Sequence, residues 1–162
     1  MSIFEVRDIF EIAIRIEENG NDFYRHVAHT AKDEETKKMF TYLANEEDKH
    51  RTIFKEMLSK IEKQETPESY PGEYGAYLRS YVDNNIVFTR EAIESELSRI
   101  KDTTSAINLA IRRELDSILY YHEIKRFVSK SHHDSIDKII DEERKHFEKL
   151  SEIKKNYKRE EA

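Results

Sequence analysis

Two stretches of the chain nearly repeat each other, Asn45-Glu46-Glu47-Asp48-Lys49-His50 and Asp141-Glu142-Glu143-Arg144-Lys145-His146, and each carries Glu-x-x-His inside a long helical pattern. Residues three apart on a helix share a face, so each copy sends a carboxylate and an imidazole the same way. The rest of that face is the constraint. Steps of three and four through Glu47 pick out Phe40, Leu43, Glu47, His50, Phe54, Met57 and Ile61; through Glu143 they pick out Ile136, Ile139, Glu143, His146, Leu150, Ile153 and Tyr157. Both pairs interrupt apolar seams of the kind a helix buries against partners. A buried, unpaired carboxylate costs several kcal/mol or takes up a proton. A cation is the simplest compensation.

Two further helical patterns each place one carboxylate on an apolar seam. The first, opened by a capping box at Ser2 to Glu5 and broken at Lys32-Asp33, has the seam Phe10, Ala13, Glu17, Gly20, Tyr24, Val27 and Ala31. The second begins at Asp102 and has Ile107, Ala110, Glu114, Ser117, Tyr121, Ile124 and Val128. Ala13-Ile14-Arg15-Ile16-Glu17 aligns with Ala110-Ile111-Arg112-Arg113-Glu114, and a tyrosine follows seven residues after each glutamate. Glu114 lies 97 residues after Glu17, while Glu143 and His146 lie 96 after Glu47 and His50. The chain thus reads as one helical hairpin duplicated, and each half brings Glu plus Glu-x-x-His, the internal symmetry a dinuclear site requires.

Composition narrows the chemistry. The 162 residues are a single domain by length, with helices expected at about 3–31, 34–63, 103–129 and 133–157 and a crossover at 64–102. Within that crossover, 76–88 and 91–100 read as two short helices, the second capped by Thr89, with Glu91, Glu94 and Glu96 on its solvated side. No cysteine is present, so disulfides, thiol catalysis and cysteine-bound metal are excluded and any metal must sit on oxygen and nitrogen. Net charge is −6, and no Lys/Arg cluster stands free of acidic neighbours, which argues against nucleic acid or an anionic membrane as partner. With no long apolar run and no signal-like start, a cytoplasmic protein is expected. His26, His29, His122, His132 and His133 fall off the seams or in the break before the last helix, which makes them solvated or capping residues.

Four long helices, four inward carboxylates and two inward histidines match di-iron carboxylate bundles. Ala-Ile-x-x-Glu with Tyr seven residues on, followed by Glu-x-x-His, resembles the rubrerythrin-type ferritin-like domain over all four long helices but not over 64–102. The fold implied is all-α, a ferritin-like four-helix bundle of two hairpins joined by a long, partly helical crossover. The ligand set implied is Glu17, Glu47, His50, Glu114, Glu143 and His146 around two iron ions. Which glutamates bridge is left open. Four carboxylates balance two divalent ions, and manganese or zinc suits the same donors. Tyr24 and Tyr121 are placed either to donate hydrogen bonds to ligand carboxylates or to serve as core aromatics.

The activity the resemblance implies is oxidoreductase chemistry on hydrogen peroxide or dioxygen, in oxidative-stress defence. The family's cysteine-bound rubredoxin-like iron domain has no counterpart here, so electrons are expected from a separate donor such as a rubredoxin-like protein. Ser117 stands where the family has a further glutamate, which weakens the expectation of peroxidase activity. Alternatives are a ferritin-like iron-storage subunit, for which the residues after Tyr157 look too few to form the extra helix of a cage, and a non-catalytic bundle. The long crossover leaves room for a homodimer with exchanged helix pairs.

Overall fold

The computed structural model describes residues 6–61, 76–77, 80, 90–98 and 100–160. Its elements are α1 (Val6–Thr30), α2 (Glu34–Lys60), a short α3 (Arg90–Leu97), α4 (Thr103–Ile124) and α5 (His133–Glu160), with a 3₁₀ turn at Lys130–His132 before the last. The four long helices form a four-helix bundle, and no strand occurs among the described residues.

The starts follow from side-chain caps. Asp33 accepts the Thr36 amide at 2.7 Å to open α2. Asp102 and Ser105 satisfy each other's backbone amides to open α4. Asp33 also accepts from the Tyr157 hydroxyl at 2.6 Å, which ties the far end of α5 to the beginning of α2. The capping box expected at Ser2 to Glu5 and the Thr89 cap lie outside the described residues, as does most of the helix expected at 76–88. Within α3, Glu91 and Glu94 are exposed, as their spacing implied.

Several helix ends differ from expectation; α5 runs on to Glu160 rather than 157, and α3 ends at Leu97 rather than 100. α4 stops at Ile124, not 129, because the chain tightens into turns in which Arg126 and Phe127 donate to the carbonyls of Glu123 and Ile124. Val128 is still buried, so the apolar seam outlasts the helix and misplaced its end. α2 ends at Lys60, where Ile61 takes an extended conformation and its amide turns back to Leu58.

Two apolar clusters lie at opposite ends of the bundle. One gathers Ile9, Phe10, Ala13, Phe54, Tyr120, Ile124, Ile136 and Ile139; the other gathers Phe23, Val27, Phe40, Leu43, Ala106, Ile107 and Leu150. Read along each helix, their order gives the topology. α1 and α5 run from the first cluster to the second, and α2 and α4 run back. Since α2 ends where α4 does, the link from Ile61 to Asp102 must return the full length of the bundle, about 35 Å for helices of this size. That accounts for the long crossover, of which α3 packs on α1. Among the described residues, no helix is long and apolar enough to cross a membrane.

Candidate metal centre

Between the two clusters, every helix contributes one acidic layer. Glu17, Glu47, His50, Glu114, Glu143 and His146 are all buried, on α1, α2, α4 and α5 as the seams require. The structure brings all six together as two overlapping groups. One is Glu17, Glu47, His50 and Glu143, the other Glu47, Glu114, Glu143 and His146, and in each the candidate ligand atoms lie within 4.8 Å of one another. Glu47 and Glu143 belong to both groups. This sharing sorts the carboxylates as helical spacing could not: Glu17 and Glu114 each serve one group, and Glu47 and Glu143 lie between the two.

The histidines turn the same nitrogen inward. His50 Nδ1 lies 3.0 Å from Glu143 and 3.6 Å from Glu17, while His146 Nδ1 lies 3.1 Å from Glu143 and 3.6 Å from Glu114. Their rings are nearly parallel, 5.9 Å apart. Glu17 Oε2, His50 Nδ1 and Glu143 Oε1 are buried with no hydrogen-bond partner, close enough for charge attraction but not aligned as hydrogen bonds. Buried polar atoms are normally satisfied. Three orphaned donor atoms in one ligand group are what a cation coordinated by oxygen and nitrogen would complete, so the residues fit a metal.

The tyrosines close the set reciprocally. Tyr24 on α1 donates to Glu114 on α4, and Tyr121 on α4 donates to Glu17 on α1. Of the two roles open to them, each fills both, since both are also fully buried aromatics. Ser117 is buried three residues after Glu114. His122 and His133 do not join the centre; one contacts Arg144 and the other the Val128 carbonyl, while His132 packs edge-on to Phe10.

Three features were not read from the sequence. Glu142 is 43% exposed and accepts from His50 Nε2 at 2.8 Å, fixing the ring so that Nδ1 faces inward. The doubled Glu-Glu-x-x-His could have signalled it. Gly20 faces the Glu47 carboxylate so closely that a Cβ there would overlap Oε2 and lie 2.9 Å from Cδ. Its place on the α1 seam, beside Glu17, was the available clue. Arg113, buried beside Glu114, lays its guanidinium over the Phe23 ring at 5.1 Å where the first half has Ile16.

Without metal, charge crowding governs protonation. Burial pushes Glu47 well above the ordinary carboxylate value, and Glu17, Glu143 and Glu114 add to the rise. Burial raises Glu17 too, and with the charge of Glu143 lifts Glu114 to about 8. For Glu143 burial acts upward but the two histidines prevail, holding it below the ordinary range. Burial opposes charge on the histidines, yet Glu143 and Glu17 raise His50 and the contacts to Glu114 and Glu143 lift His146 to about 10. Protons thus take the place of a cation.

A family model described as Rubrerythrin matches residues 8–154. No curated protein matches the chain. Among solved structures, one from Thermotoga maritima assigned as a ferritin-like diiron-carboxylate protein is 29% identical, with a TM-score of 0.66, over 96% of this chain and 97% of its own.

Two outcomes are expected. In metal-free protein, the raised Glu114 carboxyl stabilises the fold below about 4.5 and loses that contribution as pH climbs to about 8, and raised His146 does so between 6.5 and about 10, with Glu17, Glu47 and His50 shifted the same way. Both make the native state bind more protons than the unfolded chain, so the melting temperature in chelator should fall from pH 6 to pH 9. Metal-loaded protein, whose ligands have already released protons, should show a flatter curve. Gly20→Ala should gain about 1 kcal/mol of helix propensity while displacing only the flexible end of Glu47. Its metal-free melting temperature should hold or rise as its metal affinity, followed by Co(II) absorbance, drops.

Proposed function

Because the chain belongs to the rubrerythrin family, we propose that its buried Glu/His cluster binds two iron ions and that the protein is an oxidoreductase acting on hydrogen peroxide or dioxygen, with electrons from a separate donor. The observation that carries this reading is the sharing of Glu47 and Glu143 between two otherwise separate ligand groups, with three unpartnered donor atoms facing one another. Glu17 and His50 would hold one metal, Glu114 and His146 the other, and Glu47 and Glu143 both. Four carboxylates neutralise two divalent ions, and a donor set dominated by oxygen with some imidazole favours iron, with manganese or zinc as competitors.

When bound, redox-active metal supplies the electrons that reduction of peroxide or dioxygen consumes. The chain's own residues do the rest. Tyr24 and Tyr121 hold the terminal carboxylates in place from the opposite hairpin, and burial keeps both phenols protonated as donors. Glu142 fixes the orientation of the His50 ring. The apolar clusters above and below the acidic layer exclude bulk water from it. Ser117 is too short and too weakly basic to serve as the extra carboxylate of related sites, so a metal held beside it would rely on solvent or substrate for that donor. A cytoplasmic role in oxidative-stress defence is part of this reading, in keeping with an acidic chain whose described helices are too polar to span a membrane.

Anaerobic Fe(II) titration should end at two equivalents per chain, and Glu47→Ala combined with His146→Ala should remove the second. A double variant that still takes up two would place the site elsewhere. In stopped-flow oxidation of the di-ferrous protein, peroxide should hold no large advantage over dioxygen. Ser117→Glu should raise the peroxide-to-dioxygen rate ratio by about tenfold, the scale of one added contact near 1.4 kcal/mol. An unchanged ratio would show that this position does not govern the oxidant.

A further inference from the structure

The repeated Glu-Glu-x-x-His is used differently in its two copies. Glu142, the first glutamate of the second copy, accepts from His50 Nε2 at 2.8 Å and so backs the histidine of the opposite hairpin with a carboxylate. Its counterpart 96 residues earlier is Glu46, which the symmetry of the duplication would set behind His146. Glu46 instead pairs with Lys49 at 2.5 Å on its own helix. Among the described residues no carboxylate meets His146 Nε2, and that ring packs edge-on against Tyr42, with centroids 5.9 Å apart. A carboxylate on the far nitrogen of a metal-bound histidine fixes its tautomer and strengthens it as a donor, and losing such a partner costs roughly 10–100-fold in metal affinity.

The inner layer is uneven in the same direction. Glu17 Oε2, His50 Nδ1 and Glu143 Oε1, the three atoms of the layer left without a hydrogen-bond partner, all belong to the group of Glu17, Glu47, His50 and Glu143. A cation there gains three donors and breaks no hydrogen bond among them. In the other group His146 Nδ1 is already bonded to Glu143 Oε2 at 3.1 Å, and a cation has to displace that bond. A fixed positive charge also stands on that side. Arg113, which precedes Glu114 in the chain, is 5% exposed, its Nε has no hydrogen-bond partner, and its charge acts on the Tyr24 phenol that donates to Glu114. The first half has Ile16 at the equivalent place, 97 residues earlier. A guanidinium held in a low-dielectric interior disfavours a second cation near it.

We propose that the two metal positions are unequal and fill in order, the one at Glu17 and His50 first, with Glu142 as the positioning residue that sets the order and Arg113 as the charge that weakens the second position. The inference rests on the metal centre of the proposed function and on none of its activity. The first ion engages Glu47 and Glu143 from one side and satisfies the three lone donors. The second meets shared carboxylates that are already bound, a histidine with no carboxylate behind it, and the Arg113 charge. At one equivalent of metal the chain therefore carries a single ion at Glu17, Glu47, His50 and Glu143, while the position at Glu114 and His146 exchanges its ion readily with solution.

The test titrates the metal-free full chain with Zn(II). Calorimetry should show two steps separated by about tenfold or more in Kd. In NMR spectra of the histidine rings, the coordination shift of Nδ1 should appear on His50 at the first equivalent and on His146 at the second. Glu142→Gln keeps the length of the side chain and an acceptor oxygen but not the charge; it should weaken the first step about tenfold and leave the second in place. Arg113→Ile, which gives the second half the residue of the first, should tighten the second step several-fold, and Arg113→Gln removes the same charge if the apolar variant fails to fold. Both rings shifting in parallel, His146 shifting first, Glu142→Gln steps that keep their wild-type spacing, or an Arg113 variant with an unaltered second step would overturn the proposal. Uptake of no zinc would overturn the metal centre and this order with it, whereas two equivalents taken up without order defeat the order alone.

Discussion

Four carboxylates and two imidazoles held in the middle of an apolar bundle are the constraint on which everything else depends. Desolvating one such charge costs several kcal/mol, whereas a buried Phe or Ile contributes about 1.5–3 kcal/mol. The large apolar side chains of the two flanking clusters are what makes the acidic layer tolerable. That division explains why the layer sits centrally. At either end of the bundle it would have one apolar neighbour instead of two, and water would reach it.

The same constraint explains the finer structure of the site. Tyr24 and Tyr121 each reach across from one hairpin to a carboxylate of the other, so the two halves cannot slide without breaking both bonds. Gly20 costs α1 roughly 1 kcal/mol of helix propensity, and the space it leaves is filled by the Glu47 side chain. Its counterpart in the duplication, 97 residues on, is Ser117, also small. Both positions face the layer next to a seam glutamate, where a larger residue would compete with the carboxylates for room.

The inner face was legible in the sequence because helical spacing alone decides it. Nearly every seam residue from Phe10 to Leu150 is buried, and the six ligand candidates meet. What spacing could not decide is whatever depends on how one helix is rotated against another. The placing of Glu47 and Glu143 in both groups is of that kind, and so are the Glu142 bond to His50 and the Tyr42 contact with His146. The end of α4 was misjudged for a related reason: Val128 keeps its buried place through turns that are no longer α-helical, and the apolar pattern does not record that change.

Duplication makes departures from symmetry informative, since each half is a control for the other. Inside the bundle the halves agree: each supplies a terminal glutamate, a central glutamate, a histidine and a tyrosine bonded across. Outside they diverge. His50 meets a half-exposed carboxylate and His146 a half-exposed phenol ring capped by an ammonium. The outer contacts thus distinguish two histidines that the inner layer treats alike, and the difference lies on α2 and α5, the helices that carry the repeated Glu-Glu-x-x-His.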